Sequence, residues 1–395
     1  MQNVILVCNA GSSSLKISIF LMIDNKINKQ LSHILLEKKD NEIIFHLNDD
    51  QTNQIIETKK SSKDPIVDMI NMFLLWWNEK KNMNLIATGH RVVHGGNIFS
   101  SPVIVTDEII SQIEKLIPLD PLHQPYNLAA LKIFFEKYPS KKHIACFDTA
   151  FHMTQSKLAK SFSLPKKFAD KSICKYGFHG LSYQYVSQNF KIITKLDLPE
   201  KTIIAHLGSG ASLCALHNGK SIASSMGFSV LEGLMMATRS GSIDPGVILY
   251  LLEHEKMTVT EVSNLLYKNS GLLGVSGESA DMRVLIESQS QDSQFAIDLF
   301  IYKIQQEIGK LVFLLAGLDA LIFTAGIGEH SPIIREKICR TLSWFGCELD
   351  EIANSENKLQ LNNQHSKIQI FVIPTDEEKT IAMNTISKLC NSSDK

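Results

Sequence analysis

Two stretches about half a chain apart repeat one pattern. Residues 4–7 form a short apolar, β-rich run. It leads through Asn9-Ala10-Gly11-Ser12-Ser13-Ser14 into Leu15-Lys16-Ile17-Ser18-Ile19, which alternates as a half-buried strand does. Residues 202–205 lead in the same way through His206-Leu207-Gly208-Ser209-Gly210 into a strand ending at the Asn218-Gly219 turn. Strand, polar residue, small Gly/Ser turn and strand thus stand at the head of each half. That order predicts two duplicated α/β domains. Two such domains facing one another are expected to enclose a cleft, the usual place for a ligand. The expected division is 1–150 and 151–395, with a C-terminal helix, about 380–395, packing back on the first domain.

Size and charge agree with this frame. A chain of 395 residues is long enough for two or three domains. Lys plus Arg number 40 and Asp plus Glu 41, so the net charge is −1, which argues against a nucleic-acid partner held by a broad basic surface. The longest apolar stretches, 73–77 and 311–317, fall far short of the ~20 residues of a membrane helix. No positive charge precedes residues 4–7, so no targeting segment is expected. Seven cysteines, an odd number with no C-x-x-C pair, fit free thiols in a reducing cytoplasm better than disulfides or zinc.

Between the two hairpins, residues 37–63 read as polar surface strands and loops. Pro65 opens a helical pattern through Trp77. Residues 85–88 form a strand before Gly89-His90-Arg91-Val92-Val93-His94-Gly95-Gly96. Pro125 starts a helix whose apolar face is Leu128, Leu131, Phe134 and Phe135. A strand at 143–147 delivers Asp148, and 155–175 reads as a basic loop. Past Pro245 helices dominate. Phe295, Leu299, Ile304, Ile308, Leu311 and Leu315 mark a long buried one, ended by Gly317. A strand at 320–324 feeds the turn Ala325-Gly326-Ile327-Gly328-Glu329. Ser331 and Pro332 then start a helix as N-cap and first residue. After a strand at 370–373, Thr375 and Glu378 have capping-box spacing for the last helix, leaving Glu377 free for a metal or the helix dipole.

Small turns without bulky side chains let backbone N–H groups approach phosphate oxygens. Both hairpin turns, with Lys16 beside the first, and Gly326-Ile327-Gly328 are therefore phosphate-site candidates. None is a P-loop, and the third glycine of a dinucleotide fingerprint is missing, which argues against a nicotinamide enzyme. Arg91 and Arg239 lie in turns flanked by small residues, where a guanidinium can pair bidentately with carboxylate or phosphate. Asp148, ending an apolar strand, either serves a metal or a nucleophile or caps a turn. His179 stands between Gly177 and Gly180, which leave room for a ligand. His90 and His94 are four apart, but Gly95-Gly96 speaks against a helical zinc site.

Together with Pro121-Leu122-His123, Phe147-Asp148-Thr149-Ala150-Phe151-His152, Tyr176-Gly177-Phe178-His179-Gly180 and Thr238-Arg239-Ser240-Gly241, these runs resemble the acetate kinase family of short-chain carboxylate kinases over nearly the whole chain. The resemblance implies an actin/Hsp70-like fold of two RNase H-like domains, with ATP and Mg²⁺ (or Mn²⁺) between them, and a cytoplasmic homodimer. It implies reversible phosphoryl transfer from ATP to acetate. By the same resemblance, Asn9 and Glu377 would help hold the metal. Arg91 and Arg239 would clamp the carboxylate and phosphoryl, His179 would donate to the transition state, and Asp148 would position the metal-bound assembly. His123 and Lys16 would support the phosphates. His206, Gly208, Ser209 and Gly210, with Asp281, Met282, Arg283, Gly326, Ile327, Gly328 and Glu329, would line the nucleotide site. Val93, Leu122, Phe178 and Val230 would wall the acetate methyl.

Some residues depart from the family pattern. Ser209 stands where relatives usually have Asn, Val230 where a proline commonly lines the acyl pocket, and Ser242 where an acidic residue or threonine follows the arginine motif. A propionate kinase of the same fold is the nearest alternative, since one methylene is worth only ~1–3 kcal/mol of discrimination. A nucleotide-dependent switch of the same superfamily would need no pair of arginines around an apolar pocket.

Overall fold

The computed structural model describes residues 1–49, 53–62 and 64–391. Residues 50–52 and 63 of the polar stretch, and the last four of the expected C-terminal helix, lie outside the described residues. The chain forms two compact units. One is Met1–Phe151 joined by the residues from Asp376 onward; the other is His152–Thr375.

The first unit is built on β1 (Gln2–Ala10), β2 (Ser14–Ile23), β3 (Lys26–Lys39), β4 (Glu42–Asp49), β5 (Asn53–Lys60), β6 (Met83–Val92), β7 (Val103–Ile104) and β8 (Lys142–Phe147). Their order in the sheet is β5-β4-β3-β2-β1-β6-β8-β7. The second unit holds β9 (Lys201–Leu207), β10 (Ala211–His217), β11 (Lys220–Ser224), β12 (Ala320–Thr324) and β13 (Gln369–Val372), in the order β11-β10-β9-β12-β13. The shared plan is plain. In each unit an antiparallel meander, β1-β2-β3 or β9-β10-β11, meets two strands parallel to its first member. Parallel neighbours need a crossover, and helices supply it. Pro65–Asn78 joins β5 to β6, and Gln291–Leu315 precedes β12. This is the duplicated α/β architecture of the actin/Hsp70-like class.

Residues 4–7 of β1 are wholly buried, as a central strand covered on both faces requires. Val4, Leu6 and Cys8 share a core with Met69, Phe73 and Trp77 of helix Pro65–Asn78. The helix Glu377–Asn391 packs on β1, β6 and β8. Gly89 permits that approach: a Cβ there would stand 2.4 Å from Thr385 Oγ1 and 2.6 Å from Ile381 Cγ2. No helix among the described residues is long and apolar enough to cross a membrane.

The long helix Gln291–Leu315 buries Ala296, Ile297, Phe300, Ile304, Ile308, Leu311 and Leu315, but Phe295 is 60% exposed. Phe295 precedes Ile304 by nine positions, about two and a half turns, which places it on the opposite face. The helix also ends at Leu315, two residues before Gly317, because Ala316 itself takes the left-handed conformation at φ 52. The basic stretch 155–175 is not all loop: it contains short helices Lys157–Lys160 and Lys166–Ala169.

Candidate active site

In the first unit, β6 runs on to Val92, so Arg91 is a strand residue and not part of a loop. Parallel pairing sets Arg91 beside Cys146 of β8, and Asp148 follows at that strand's end. The Arg91 guanidinium grips the Asp148 carboxylate: Nε lies 3.1 Å from Oδ1 and Nη2 2.6 Å from Oδ2. Nη1 donates to Asn9 Oδ1 at 3.2 Å. Asp148 is buried, so this charge-assisted fork is what its carboxylate has in place of water. Burial alone would lower the Arg91 pKa; Asp148, Glu377 and Glu378 more than reverse that and hold it above its ordinary value.

Asn9 faces Lys16 across the first hairpin. Asp376, Glu377 and Glu378 open the C-terminal helix of the same unit. Here the expected capping box is absent. Asp376 Oδ1 accepts from the Lys379 amide at 2.8 Å, while the Thr375 amide donates to Glu329 Oε1 at 3.1 Å. Asp376 is the stronger cap, and it shifts the start by one residue. Burial raises the Glu377 pKa; Arg91 and Lys16 oppose the rise, and Glu378 and Asp376 add to it. No group of three or more His, Cys, Asp or Glu among the described residues could cage a metal. The donors at hand, Asn9 and Glu377, are oxygens. That chemistry fits Mg²⁺, which keeps water and takes one or two carboxylates plus substrate phosphates.

The turn after β6 is pinned by residues with no sequence signal. Asn127 accepts from the Val93 amide at 2.9 Å and donates to the Ala10 carbonyl at 2.5 Å. Gln124 exchanges two bonds of 3.0 Å with the His94 backbone. Both project from helix Gln124–Lys137, where the apolar stripe draws attention instead. Val93 is buried and Leu122 half-buried. His123 holds Asp120 through Nδ1 at 2.9 Å.

The second unit contains a cavity of about 700 Å³, the size of a nucleotide pocket. Gly208, Ser209, Asp281, Met282, Arg283, Gly326 and Ile327 line it, and Ala237, Ile286, His330 and Pro332 join them unforeseen. His206, Gly210, Gly328 and Glu329 do not line it, and Lys16 belongs to the first unit. Gly326-Ile327-Gly328 is not an open loop. It lies in the helix Ala325–His330, entered through Ala325 at φ 64. Glu329 starts that helix: its Oε1 accepts from the Ala325 amide at 2.7 Å as well as from Thr375. Its carboxylate is therefore a brace. Asp281 caps helix Met282–Glu287 and pairs with the exposed Arg283.

Beside the Gly208–Gly210 turn stand two histidines. The rings of His179 and His206 stack with centroids 4.1 Å apart. A Cβ on Gly210 would lie 3.3 Å from His179 Nε2 and 3.8 Å from Arg239 Nη1, so both side chains converge on the bare side of that glycine. Arg239 Nη1 also donates to the Val230 carbonyl at 3.2 Å. The loop bearing Arg239 is tied down on several sides. Ala237 N–H bonds the Ser209 carbonyl at 3.1 Å, Thr238 Oγ1 bonds the Tyr267 carbonyl at 2.9 Å, and Leu272 N–H bonds the Met236 carbonyl at 2.9 Å. Phe178 is buried, and its carbonyl lies 2.9 Å from His152 Nε2. Ser242 Oγ accepts from the Gly233 amide at 3.0 Å, a bond within the backbone scaffold.

Twin sheets of one strand order, a nucleotide-sized cavity in one unit and an arginine–carboxylate cluster in the other define a nucleotide-handling protein of the actin/Hsp70-like class. The comparisons narrow the class. A profile of the acetokinase family matches residues 4–383. The acetate kinase of Rickettsia prowazekii (strain Madrid E) is 57% identical over 382 residues, covering 97% of this chain and 98% of that protein. The crystal structure of Porphyromonas gingivalis acetate kinase superposes with a TM-score of 0.87 at 34% identity, covering 98% of this chain and 100% of its own. A propionate kinase from Francisella tularensis subsp. tularensis SCHU S4 gives 0.89, also at 34%, covering 97% and 98%. The chain belongs to the acetokinase family. It is a kinase that uses ATP to phosphorylate a carboxylate.

Proposed function

We propose that the acceptor is acetate and that the reaction, reversible and in line, yields acetyl phosphate and ADP. The observation that carries this reading is Arg91, a guanidinium oriented by Asp148 and Asn9. Such a group suits a small carboxylate or the phosphoryl passing to it.

A carboxylate oxygen is already a nucleophile, so no general base is needed. It attacks the γ-phosphorus. The bond from phosphorus to the β–γ bridging oxygen breaks, and its electron pair leaves with ADP; no proton has to move. The protein supplies position and positive charge. Arg91 and Arg239 neutralise the carboxylate and the three outer phosphoryl oxygens, and His179 donates a hydrogen bond to one of them. Asp148 keeps Arg91 at its angle. Val93 and Leu122 of the first unit and Phe178 and Val230 of the second are the apolar residues we assign to the methyl group. Asn9 and Glu377 would hold Mg²⁺, which draws charge from the phosphates when bound.

The Francisella relative keeps propionate as a second acceptor reading, and Val230 is the residue on which we place the choice. A homodimer is supported by helix Pro245–Glu253, whose Val247, Leu249 and Tyr250 are exposed. A reducing, cytoplasmic setting is supported by cysteines that stand outside any disulfide.

The test is acyl-phosphate formation, trapped with hydroxylamine, from ATP and Mg²⁺ with formate, acetate, propionate and butyrate side by side. Acetate is expected to lead, and Val230→Ala to narrow its lead over propionate. A propionate preference in the unaltered protein would move the assignment to the second reading. No acyl phosphate with any acid, from protein that still binds ATP, would overturn both.

A further inference from the structure

His179 is held from behind by a second layer of buried hydroxyls. It precedes helix Gly180–Thr194 in the left-handed conformation, at φ 56, and its Nδ1 lies 2.8 Å from Ser212 Oγ on β10. The same Oγ meets the hydroxyl of Tyr183, one turn into that helix. Tyr183 and Ser212 are fully buried.

The direction of these bonds follows from chemistry. A phenol is a better donor and a poorer acceptor than an aliphatic hydroxyl, because its lone pair is drawn into the ring. Tyr183 therefore donates to Ser212, and Ser212 spends its one proton on His179 Nδ1. Burial first, and the Cys214 thiol next, hold the Tyr183 pKa well above its usual value, so the phenol keeps its proton. With Nδ1 accepting, a neutral imidazole carries its proton on Nε2. Nε2 is the atom that faces the bare side of Gly210 beside Arg239.

We propose that Tyr183 and Ser212 are positioning residues, a hydroxyl relay that fixes His179 as the Nε2–H tautomer so that it donates to the transferring phosphoryl. The proposal rests on the reading that His179 meets that group. The other titratable groups around the relay are His206, stacked on His179 and bonded through Nδ1 to Ser182 Oγ at 2.8 Å, Arg239, Cys214, and His152, whose ring lies edge-on to Tyr183 at 5.7 Å. His206 is the mirror case, since its Nδ1 too rests on a serine and its Nε2 lies 3.9 Å from where a Gly208 Cβ would be.

The test is made on the full chain. Long-range ¹⁵N spectra of histidine-labelled protein report the tautomer, and loss of signals in His179→Ala assigns the residue. The unaltered protein is expected to show the Nε2–H form, and Ser212→Ala a mixture. In Tyr183→Phe and Ser212→Ala, turnover should fall about tenfold while KM for acid and for nucleotide stays within about twofold. An Nδ1–H tautomer in the unaltered protein, or turnover lost with the tautomer unmoved, would overturn the relay. Full turnover in His179→Ala would instead overturn the role given to His179, with the spectra still deciding whether the relay exists.

Discussion

On the proposed reading, Arg91 carries a structural charge and a catalytic one in a single side chain, and the two are separable. Arg91→Ala should lower turnover by about 10³-fold. It should also strand the buried Asp148, at a cost of about 3–5 kcal/mol. Adding Asp148→Asn removes the stranded charge. The double variant is expected to regain much of the thermal midpoint and none of the turnover; recovery of both together would show that Arg91 acts only through stability. Arg91, Asp148 and Arg239 were singled out in the sequence because a charged residue beside small ones has few structural uses, and His179 because of its glycine neighbours; the structure pairs Arg91 with Asp148 and sets His179 and Arg239 beside Gly210. Asn127 and Gln124 were not singled out. An amide in a helix sends no signal until the backbone groups it satisfies are known. Glu329 was legible as important but not in its task, since only the fold brings the amides of Ala325 and Thr375 to one carboxylate oxygen.

Periodicity served whole elements better than it served their ends. The paired hairpins and the helices at Pro65 and Gln124 follow from pattern and proline position. The Gly326-Ile327-Gly328 segment folds as helix because the Glu329 side chain closes the first turn, a bond invisible to any count of glycines. Phe295 misled in the same way, its apolar character outweighing its phase. The Arg239 loop supplies the sharpest test at this scale. Gly271 has φ +65, and a Cβ there would lie 2.1 Å from the Met236 carbonyl and 2.9 Å from Arg239 N. These are backbone atoms that cannot swing aside. Gly271→Ala should displace the loop and cost about 100-fold in turnover. Gly277, at φ +63, has nothing within 4 Å of its would-be Cβ. Gly277→Ala should therefore cost about 1–3 kcal/mol of stability and little activity. Equal losses of turnover in the two variants would deny that Gly271 positions Arg239.

At the scale of the molecule, several histidines are buried as neutral rings. Burial lowers His90 to about 3, with His143 assisting, and His94 and His152 to about 4, where Asp120 and the Phe178 carbonyl respectively push back. Unfolded, each would titrate near 6.5. Below that pH the unfolded chain binds protons that the folded chain refuses, so stability is complete above about pH 7 and falls as the medium is acidified. Three such groups give a slope of up to about 4 kcal/mol per pH unit between about 6 and 4. The thermal midpoint should drop from pH 7.5 to pH 5; a flat or rising midpoint would show that these rings take up protons in place. His90→Asn should flatten the slope.

The sheet of the first unit is completed by its last neighbour in time. Gly89 is shaped to receive Ile381 and Thr385, residues that leave the ribosome only after the whole of His152–Thr375 has emerged. The stretch synthesised first must wait, its β1, β6 and β8 uncovered on one side, while the continuous unit made after it has every strand it needs already in hand. Birth order and order of completion are thus reversed. A chain cut short at its far end would lose the covering of the opening strands and leave the later-made unit whole.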